Sequence, residues 1–369
     1  MKAVGFTLSG MEQVAAGEVK EITGSEPRAD KRLVFFDCTE QELCRLCYIS
    51  QSFIRIMALL NTCSNDKECL ASSIQETDLS KWLCNRTFAA RAIVLCNDND
   101  RTELEAFVGE QVVKKTRARV DLDNPDIIFY CISAENYFYF CLDFSGADLG
   151  KRDYRIFNHP AALKASIAYS MLRFSGLRQG ENLLDPFCGS STIAIEAAHF
   201  LSRMPVNYFT KDKFAFLRFR EFDFEKEDSR ISDAKLNIYS FDSQMRHIKA
   251  SEKNAKISGV NKLINFSRTE VDWLDTKFGK GSINRIVTNP PQLSKNISRK
   301  ELQGLYDEFF YQAGYVLHKK GSITLISTEG RINNMLLSSA ERYKFSLKEI
   351  KRVIHGKQEE QILIFIPDP

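Results

Sequence analysis

The amino-acid sequence predicts an α/β protein that ends in a doubly wound, Rossmann-like sheet and begins with two smaller α+β modules. Two observations predict this fold class. From Pro160 onward, helical patterns alternate with short buried strand patterns, which is typical of a parallel sheet covered by helices. The 369 residues also exceed the usual domain length of about 100–150 residues more than twofold. At least two hydrophobic cores are therefore expected.

The first 148 residues predict two consecutive α+β modules. In the first module, residues 4–8, 33–38 and 53–60 have strand patterns, and apolar residues recur at helical spacing between them. Residues 61–67 form a polar break. Beyond it, the patterns predict a helix at 69–74, a strand at 87–95, a helix that begins with the capping box Thr102-x-x-Glu105, and a hairpin of strands at 127–133 and 137–144.

The remainder of the chain alternates helices and strands. Helices are predicted at 161–173, 191–203, 244–258 and 301–318, and strands at 182–187, 237–242, 264–270, 285–289 and 322–328. Strand patterns at 347–354 and 361–366 flank a short Gly-containing turn. They predict a terminal hairpin that inserts an antiparallel strand at the edge of the sheet. Residues 204–235 are polar and studded with aromatic residues, and they predict an insertion beside that sheet.

Composition narrows the class of protein. Hydrophobic residues make up 44% of the chain, which excludes a disordered protein. The net charge of +3 is too small for the whole surface to attract a polyanion, so any contact with nucleic acid requires a local basic patch. No apolar run approaches the roughly 18 residues of a membrane span, and the N-terminus lacks a secretion signal. We therefore expect a cytoplasmic protein.

The cysteines are expected to be free thiols. Nine of the ten precede residue 150, but a chain of this length in a reducing compartment needs no disulfides. Cys44 and Cys47 have the spacing of metal ligands, yet no second pair or nearby histidine completes a tetrahedral set. The sequence predicts no structural metal.

A turn that follows the strand at 182–187 is the first candidate ligand site. Residues 184–192 run from a strand through Gly189 into a helix, whose first backbone amides attract a polar or anionic group. An ordinary strand-to-helix turn is the alternative, because one glycine is a weaker signal than a G-x-G-x-x-G motif.

Acidic residues follow the next two strands. Asp242 ends one strand, where a carboxylate can accept hydrogen bonds from the ribose hydroxyls of a nucleoside. Asp272 follows the next strand and can accept from an adenine amino group. The alternatives are a helix cap for Asp242 and an exposed loop acid for Asp272.

The most specific motif is Asn289-Pro290-Pro291-Gln292, which ends a buried strand. Proline has no N–H group and holds the backbone extended, so the Asn289 amide oxygen and the Pro290 carbonyl can point into one cleft. Two acceptors that face one point suit an exocyclic amino group. A simple strand terminator is the alternative.

In this order on such a sheet, the motifs resemble those of the class I S-adenosylmethionine-dependent methyltransferases that modify amino groups. The motifs are residues 185–190 (DPFCGS), Asp242, Asp272 and residues 289–291 (NPP). Residues 151–155 and 159–164 resemble the linker and first helix of RNA methyltransferases that contain a THUMP domain. The N-terminal half resembles the same family at residues 88–91, 120–126 and 142–146. The resemblance spans nearly the whole chain and is strongest to tRNA guanine-N2 methyltransferases that act on the acceptor stem at position 6.

The resemblance implies four segments and one cofactor. The segments are a ferredoxin-like domain at 1–60, a THUMP RNA-binding domain at 61–148, a linker at 149–160 and a methyltransferase domain at 161–369. Asn289, Pro290, Pro291 and Gln292 would hold the target base. S-adenosylmethionine would be bound by His159, Pro160, Ala161, Asp185, Phe187, Cys188, Gly189, Ser190, Ser191, Thr192, Asp242, Ser243, Asp272, Trp273 and Asn289.

Two residues depart from the family pattern. Ser191 replaces the usual second small residue of the turn, which alters either the backbone angle or the distance to the cofactor. Gln292 replaces the aromatic residue that usually stacks on the flipped base, a contact with a value of about 1–3 kcal/mol. Other aromatic residues can take over this stacking, and the candidates are Phe187, Tyr208 and Phe209.

RNA binding is assigned to basic residues near the end of the helix that begins at Thr102. This cluster also suits a solvated helix end whose cations complement the helix dipole, but the THUMP resemblance favours contact with phosphates. The residues are Lys114, Lys115, Arg117 and Arg119, supported by Arg91, Arg152 and Arg155.

Three hypotheses are consistent with the sequence. The first is an enzyme, expected to be a monomer, that methylates the N2 amine of a guanosine in tRNA, with ribosomal RNA as the near alternative. The second is an RNA-binding protein with impaired catalysis, suggested by Ser191 and Gln292. The third retains the chemistry but acts on DNA adenine or protein glutamine, and the N-terminal modules argue against it.

Overall fold

The computed structural model describes residues 1–95, 99–157, 163–293, 297–328, 331–356 and 358–368. The chain forms two compact units. The first comprises Met1–Thr7, Ala15–Leu149 and Thr210–Glu227, and the second comprises Leu8–Val14, Gly150–Phe209 and Asp228–Pro369. No helix among the described residues is both long enough and apolar enough to cross a membrane.

The N-terminal part of the chain forms seven strands and five helices within the described residues. In chain order they are β1 (Lys2–Thr7), α1 (Glu12–Thr23), β2 (Arg28–Asp30), β3 (Leu33–Asp37), α2 (Glu40–Ile49), β4 (Phe53–Ser64), α3 (Lys67–Glu76), α4 (Ser80–Leu83), β5 (Phe88–Val94), α5 (Arg101–Thr116), β6 (Ile127–Ser133) and β7 (Tyr137–Asp143). The strands form one sheet in the order β2-β3-β1-β4-β7-β6-β5. All neighbours are antiparallel except β5 and β6.

One sheet spans the two predicted N-terminal segments. The predicted boundary at residue 60 lies inside β4, which continues to Ser64 through residues that were expected to form a polar break. β4 pairs with β1 along one side and with β7 along the other. Asn61 lies at a shift in the β4–β7 register, and its side chain donates to the Ser73 carbonyl at 3.1 Å. The polar side chain is thus satisfied within a strand, and the unit has a single sheet.

The N-terminal cap of α5 differs from the predicted one. The capping residue is Asp100, whose carboxylate accepts a hydrogen bond of 2.8 Å from the Glu103 backbone N–H. Glu105 instead accepts from Ala92 N and from Arg101. An aspartate and a threonine are comparable caps, so the choice depends on where β5 ends and the chain turns.

The predicted insertion at 204–235 does not remain beside the second sheet. Its central part, Thr210–Glu227, belongs to the first unit, where Phe214 and Phe216 are buried in the hydrophobic core. Tyr48 of α2 contacts the rings of Phe214 and Phe224 with centroid distances of 6.2 and 4.9 Å. Five aromatic residues of this central part therefore contribute to the core of the first unit, with Phe214 and Phe216 fully inside it and Phe219, Phe222 and Phe224 packed against it.

The second unit contains a seven-stranded sheet. From residue 165 onward the elements of the chain are, in order, α6 (Ala165–Ser175), β8 (Asn182–Asp185), α7 (Thr192–Ser202), α8 (Phe224–Asp228), β9 (Asn237–Asp242), α9 (Met245–Ile257), β10 (Ile264–Arg268), α10 (Leu274–Lys277), β11 (Ile283–Thr288), α11 (Arg299–Val316), β12 (Leu317–Thr328), α12 (Arg331–Arg342), β13 (Phe345–His355) and β14 (Gln358–Pro367). All residues of α8 except Asp228 belong to the first unit.

The order of this sheet is β10-β9-β8-β11-β12-β14-β13. β8 to β12 are parallel, and β14 lies antiparallel between β12 and β13. The predicted Rossmann-like sheet with a terminal antiparallel hairpin is therefore confirmed. The sequence analysis missed α12. The order matters for function, because the carboxyl ends of β8, β9 and β11 lie at one edge of the sheet.

The described cysteines are free thiols. Cys44 and Cys47 lie fully buried on α2. Burial raises the pKa of the Cys44 thiol to about 12 and also raises that of Cys47. These side chains pack as small apolar residues in the first core.

Candidate active site

A tight turn joins the end of β8 to α7. Gly189 and Ser191 both adopt left-handed backbone angles, with φ of 56° and 59°. This region favours glycine, so Ser191 carries a conformational cost. Its hydroxyl forms a hydrogen bond of 2.6 Å with the hydroxyl of Ser240 on β9, and its side chain is buried. Ser191 therefore keeps the backbone angle that a glycine would favour, and β9 holds it in place.

Asp185, the last residue of β8, is tied to the neighbouring strand β11. Its Oδ1 accepts a hydrogen bond of 2.6 Å from the Thr288 hydroxyl and a weaker one of 3.3 Å from the Phe187 N–H. Burial of this carboxyl raises its pKa to about 7, although both hydrogen bonds act to lower it. Sequence reasoning missed Thr288, because a threonine inside a strand carries no signal of its own.

Asp242, at the end of β9, binds the turn after β8. Its Oδ2 accepts from the Gly189 N–H at 3.1 Å. Its Oδ1 accepts from the Gln244 N–H at 2.9 Å and lies 2.9 Å from Nδ1 of His247. The carboxylate thus contacts both the turn and the segment before α9, but the N-cap position of α9 is Gln244 rather than Asp242.

Two polar side chains of helix α9 form hydrogen bonds with the turn after β8. The Ser251 hydroxyl donates to the Gly189 carbonyl at 3.1 Å. The buried Asn254 amide donates to the Phe157 carbonyl at 2.9 Å and to the Ser190 carbonyl at 3.4 Å, and its oxygen accepts from the Phe157 N–H at 3.0 Å. Asn254 therefore joins the turn to the segment just before 158–162. His159, Pro160 and Ala161, which were expected at the cofactor, lie outside the described residues.

The Asn-Pro-Pro motif begins directly after β11. Thr288 and Pro290 are buried, whereas Asn289 and Gln292 are half-buried. The buried Tyr306 of α11 donates its hydroxyl to the Pro291 carbonyl at 2.5 Å. Oε1 of Gln292 accepts from the Thr328 hydroxyl at 3.0 Å. Side chains of two neighbouring elements thus hold the motif, and neither Tyr306 nor Thr328 was identified from the sequence.

Asp272 and Trp273 lie in a short 3₁₀ turn after β10. Both side chains are exposed, and the Asp272 carbonyl accepts from the Gln312 amide at 2.9 Å. Trp273 lines an open pocket of about 400 Å³ together with Arg268, Thr269, Glu270, Thr276 and Lys277. Asp272 is therefore an exposed acid in a loop, as the alternative interpretation of the sequence expected.

The candidate replacements for a stacking aromatic residue lie in different places. Phe187 follows Asp185 and packs against Phe309 of α11, with ring centroids 5.7 Å apart. Phe209 lies against Gly259, where an added Cβ would approach its ring to 2.8 Å. Gly259 follows α9, whose end lies at the amino edge of the parallel strands. Phe209 and Tyr208, whose rings contact each other, therefore lie at the edge of the sheet opposite the Asn-Pro-Pro motif. Phe187 is the remaining candidate for stacking on the target base.

The structure brings together three of the four predicted places. Hydrogen bonds join Asp185 to Thr288 beside the Asn-Pro-Pro motif, and Gly189 to Asp242. These contacts follow from the sheet order, because β8 lies between β9 and β11. A polar turn flanked by two carboxyl groups and a stiff acceptor motif is arranged to bind a nucleoside beside an amino group.

A family model for the RMKL-like methyltransferase domain matches residues 152–360, which is more than half of the chain. The chain belongs to the RMKL-like methyltransferase family. The match covers β8 to β13 and the first residues of β14, and it includes every candidate catalytic residue.

Two curated proteins resemble this methyltransferase along nearly its whole length. A tRNA (guanine(6)-N2)-methyltransferase from Methanocaldococcus jannaschii is 29% identical, over 95% of this chain and 96% of its own. A protein of the same name from Archaeoglobus fulgidus is 26% identical, over 97% of this chain and 90% of its own.

Solved structures show the same fold. A protein whose structure was determined in complex with SAH has a TM-score of 0.82 and 19% identity, and the alignment covers 100% of this chain and 98% of that protein's chain. TrmN from Thermus thermophilus has a TM-score of 0.74 and 19% identity, and covers 99% of both chains. Both alignments include the first unit as well as the methyltransferase domain.

The cofactor of this methyltransferase is S-adenosylmethionine, and the described residues fit it. The Asp242 carboxylate accepts three hydrogen bonds within the described part of the chain, whereas a carboxylate offers about four acceptor positions. One position therefore remains for a ligand hydroxyl. Gly189 adds no side chain to the turn at its left-handed bend, so a ligand can approach the backbone there.

The prediction that Arg152 contacts RNA is wrong. Its side chain is fully buried and forms a two-pronged ion pair with Glu196 of α7, with both distances at 3.0 Å. The Tyr154 hydroxyl donates to the same carboxylate at 2.9 Å. A buried carboxylate requires such partners, so Arg152 serves the core of the methyltransferase domain. Arg155 is half-buried, and its Nε is a buried atom for which the described residues provide no hydrogen-bond partner.

The basic residues at the end of α5 differ from one another. Lys115 turns inward and donates to the Ile74 carbonyl at the end of α3 at 3.3 Å, so it stabilises a helix end. Lys114 pairs with Glu110 at 2.7 Å on the surface. Arg117 and Arg119 are exposed. Arg91 donates to the Leu122 carbonyl at 2.7 Å and to the Ala90 carbonyl at 3.3 Å. Lys114, Arg117 and Arg119 are therefore the exposed cations at this helix end, and the Lys114 ammonium is the one paired with Glu110.

Proposed function

We propose that this methyltransferase modifies the exocyclic N2 amine of a guanosine in tRNA, at position 6 of the acceptor stem. Support comes from the two archaeal relatives, whose names state this reaction and which align with at least 95% of this chain. The observation that carries the proposal is the Asn289-Pro290-Pro291 motif, which follows β11 and is linked through Thr288 to the cofactor turn.

The chemistry assigned to the motif is to orient a weak nucleophile. The lone pair of a guanine N2 amine is delocalised into the ring. Asn289 Oδ1 and the Pro290 carbonyl oxygen accept its two N–H groups, which favours a pyramidal nitrogen and directs the lone pair. Bound S-adenosylmethionine supplies a methyl group on a sulfonium, which is already electrophilic. Tyr306 and Thr288 fix the two ends of the motif, so the acceptors are oriented before the base arrives.

The RNA partner is assigned to the first unit, with Arg117 and Arg119 as phosphate contacts. Double-stranded RNA is recognised mainly by shape and backbone, and a base inside a stem must be flipped out before it can enter a catalytic site. The acceptor stem would therefore be held by its backbone while one guanosine is extruded. We place this activity in the cytoplasm and assign it to a monomer.

The deciding experiment is methyl transfer into tRNA transcripts that differ only at position 6. We expect labelled methyl incorporation into the transcript with guanosine and none into the transcript with inosine, which lacks the N2 amine. Ribosomal RNA, DNA and bulk protein provide the competing substrates. Incorporation into inosine, or only into DNA or protein, would contradict the proposal.

Asn289→Ala tests the role of the motif. Loss of one preorganised hydrogen-bonding group should lower kcat by about 10²–10³-fold. RNA affinity should remain unchanged. The exposed Asn261→Ala is the matched control. RNA binding by the wild type without any methyl transfer would instead favour an RNA-binding protein with impaired catalysis.

A further inference from the structure

Gln292 is held by the neighbouring strand in a defined orientation. Thr328 ends β12, which runs parallel to β11, so Thr328 and Gln292 lie beyond the carboxyl ends of adjacent strands. The Thr328 hydroxyl donates to Gln292 Oε1 at 3.0 Å. A glutamine whose oxygen accepts this bond still has the two N–H groups of Nε2, which this bond does not use, as potential donors.

A buried hydrogen-bonded network fixes the position of Thr328. The Ser327 Oγ lies 2.9 Å from the Thr328 carbonyl oxygen and 2.6 Å from Asn333 Oδ1 of α12, and the two acceptors share its single proton. The Asn333 amide donates to Gln361 Oε1 of β14 at 2.6 Å. Ser327, Asn333 and Gln361 are all buried. Buried networks with satisfied partners are rigid, so the Thr328 hydroxyl is presented from a fixed backbone.

The motif is fixed on its other side as well. Tyr306 holds the Pro291 carbonyl, one residue before Gln292. The backbone and the amide oxygen of Gln292 are therefore both anchored, while its amide nitrogen is not committed by these contacts.

We propose that Gln292 determines base specificity by donating a hydrogen bond from Nε2 to an acceptor on the purine edge, and that Thr328 is a positioning residue for this contact. The inference deepens the proposed function and rests on it. In this chain a directional hydrogen bond takes the place of ring stacking at residue 292. The acceptor classes on guanine are a ring nitrogen, N3 or N7, and the carbonyl oxygen O6.

The test combines enzyme variants with substrate analogues at position 6 of the transcript. Gln292→Glu keeps the length and the acceptor for Thr328 but removes both donors, so the KM for RNA should rise about tenfold while the affinity for S-adenosylmethionine is unchanged. Thr328→Val should raise the same KM by a smaller factor. The exposed Gln358→Glu is the matched control and should leave the KM unchanged.

The analogues identify the acceptor. 3-Deazaguanine, 7-deazaguanine and 2-aminopurine remove N3, N7 and O6, respectively. One of them should raise the wild-type KM about tenfold and have no further effect in Gln292→Glu. An unchanged KM in Gln292→Glu, or equal effects of every analogue on both enzymes, would overturn the inference. Failure of the wild type to methylate the guanosine transcript would overturn the proposed function together with it.

Discussion

The Thr288 hydroxyl donates a hydrogen bond of 2.6 Å to the carboxyl of Asp185 and thereby links the strand ends that carry the two most informative sequence motifs. Asp185 ends β8, before the turn that contains Gly189, and Thr288 ends β11, immediately before the Asn-Pro-Pro motif. Because the pair is buried, displacement of either strand end would leave a polar group without its partner.

The first prediction concerns the pH dependence of stability. Burial raises the pKa of Asp185 to about 7 from an ordinary 3.8, so the folded protein holds this proton over a pH range in which the unfolded chain has released it. The contribution to stability is complete below the unfolded pKa and is lost as pH rises through about 7. In Asp185→Asn this dependence should disappear. As the pH rises from 5 to 7, the free energy of unfolding measured with urea should fall by about 2 kcal/mol more in the wild type than in the variant. Parallel pH profiles would contradict the assignment.

The second prediction separates structural from RNA-binding arginines. Arg152→Ala leaves the buried Glu196 carboxylate without its partner, so we expect a loss of about 3–5 kcal/mol in the free energy of unfolding. The RNA affinity of the folded fraction should match that of wild type. Lys151→Ala, at the exposed neighbouring residue, is the control. A variant of normal stability that has lost RNA binding would restore Arg152 as a phosphate contact.

The third prediction tests the phosphate contacts. Arg117→Ala with Arg119→Ala should weaken tRNA binding and reduce the slope of log affinity against log salt by about 1 for each arginine removed from a phosphate. Lys20→Ala with Lys31→Ala removes the same charge from other exposed positions of the chain. Filter binding between low and moderate salt measures both slopes. Equal slopes for the two double variants would show that only net charge matters.

The fourth prediction concerns the segment Thr210–Glu227. Phe216→Ala removes a fully buried ring from the first core and should cost about 3–5 kcal/mol. Trp82 lies in the same core, so its fluorescence can follow the unfolding. Phe209→Ala truncates a ring that is 63% exposed and should change stability far less. A similar small effect of both substitutions would place the segment outside the core.

The fifth prediction concerns Asn254, a positioning residue. Asn254→Asp keeps the acceptor for the Phe157 N–H but removes the donor to the carbonyls of Phe157 and Ser190. We expect the KM for S-adenosylmethionine to rise about tenfold, with kcat much less affected, because the two segments lose their common anchor. Titration with S-adenosylhomocysteine checks the affinity directly. A uniform loss of kcat, KM and thermal stability would indicate a structural role alone.

Much of the fold could be predicted from local patterns. The predicted strands at 127–133 and 237–242 match β6 and β9 to the residue, because alternating or buried apolar runs with clear turn residues define them. Errors arose where local signals compete. Asn61 was predicted to lie in a loop but continues β4, because its side-chain amide donates a hydrogen bond to the Ser73 carbonyl of the neighbouring helix. Thr102 reads as a cap, but Asp100 occupies that position.

Part of the candidate site could also be predicted. Asp185, Gly189, Asp242 and Asn289 stand at strand ends, where the chemistry of a residue and its position in an α/β sheet carry information together. The supporting residues could not be predicted, because Thr288, Tyr306, Asn254 and Thr328 act through contacts with residues at least 15 positions away. For the same reason Arg152 was misassigned: its partner Glu196 lies 44 residues away in the sequence.

The sequence by itself determined the order of the elements, the motifs at the strand ends and the chemical identity of each candidate group, because these depend on residue type and short spacing. Only the tertiary structure decided which of those groups meet, which cations are buried and which core receives residues 210–227. Such outcomes depend on contacts between distant segments, where burial and hydrogen bonding override the local preference of each residue.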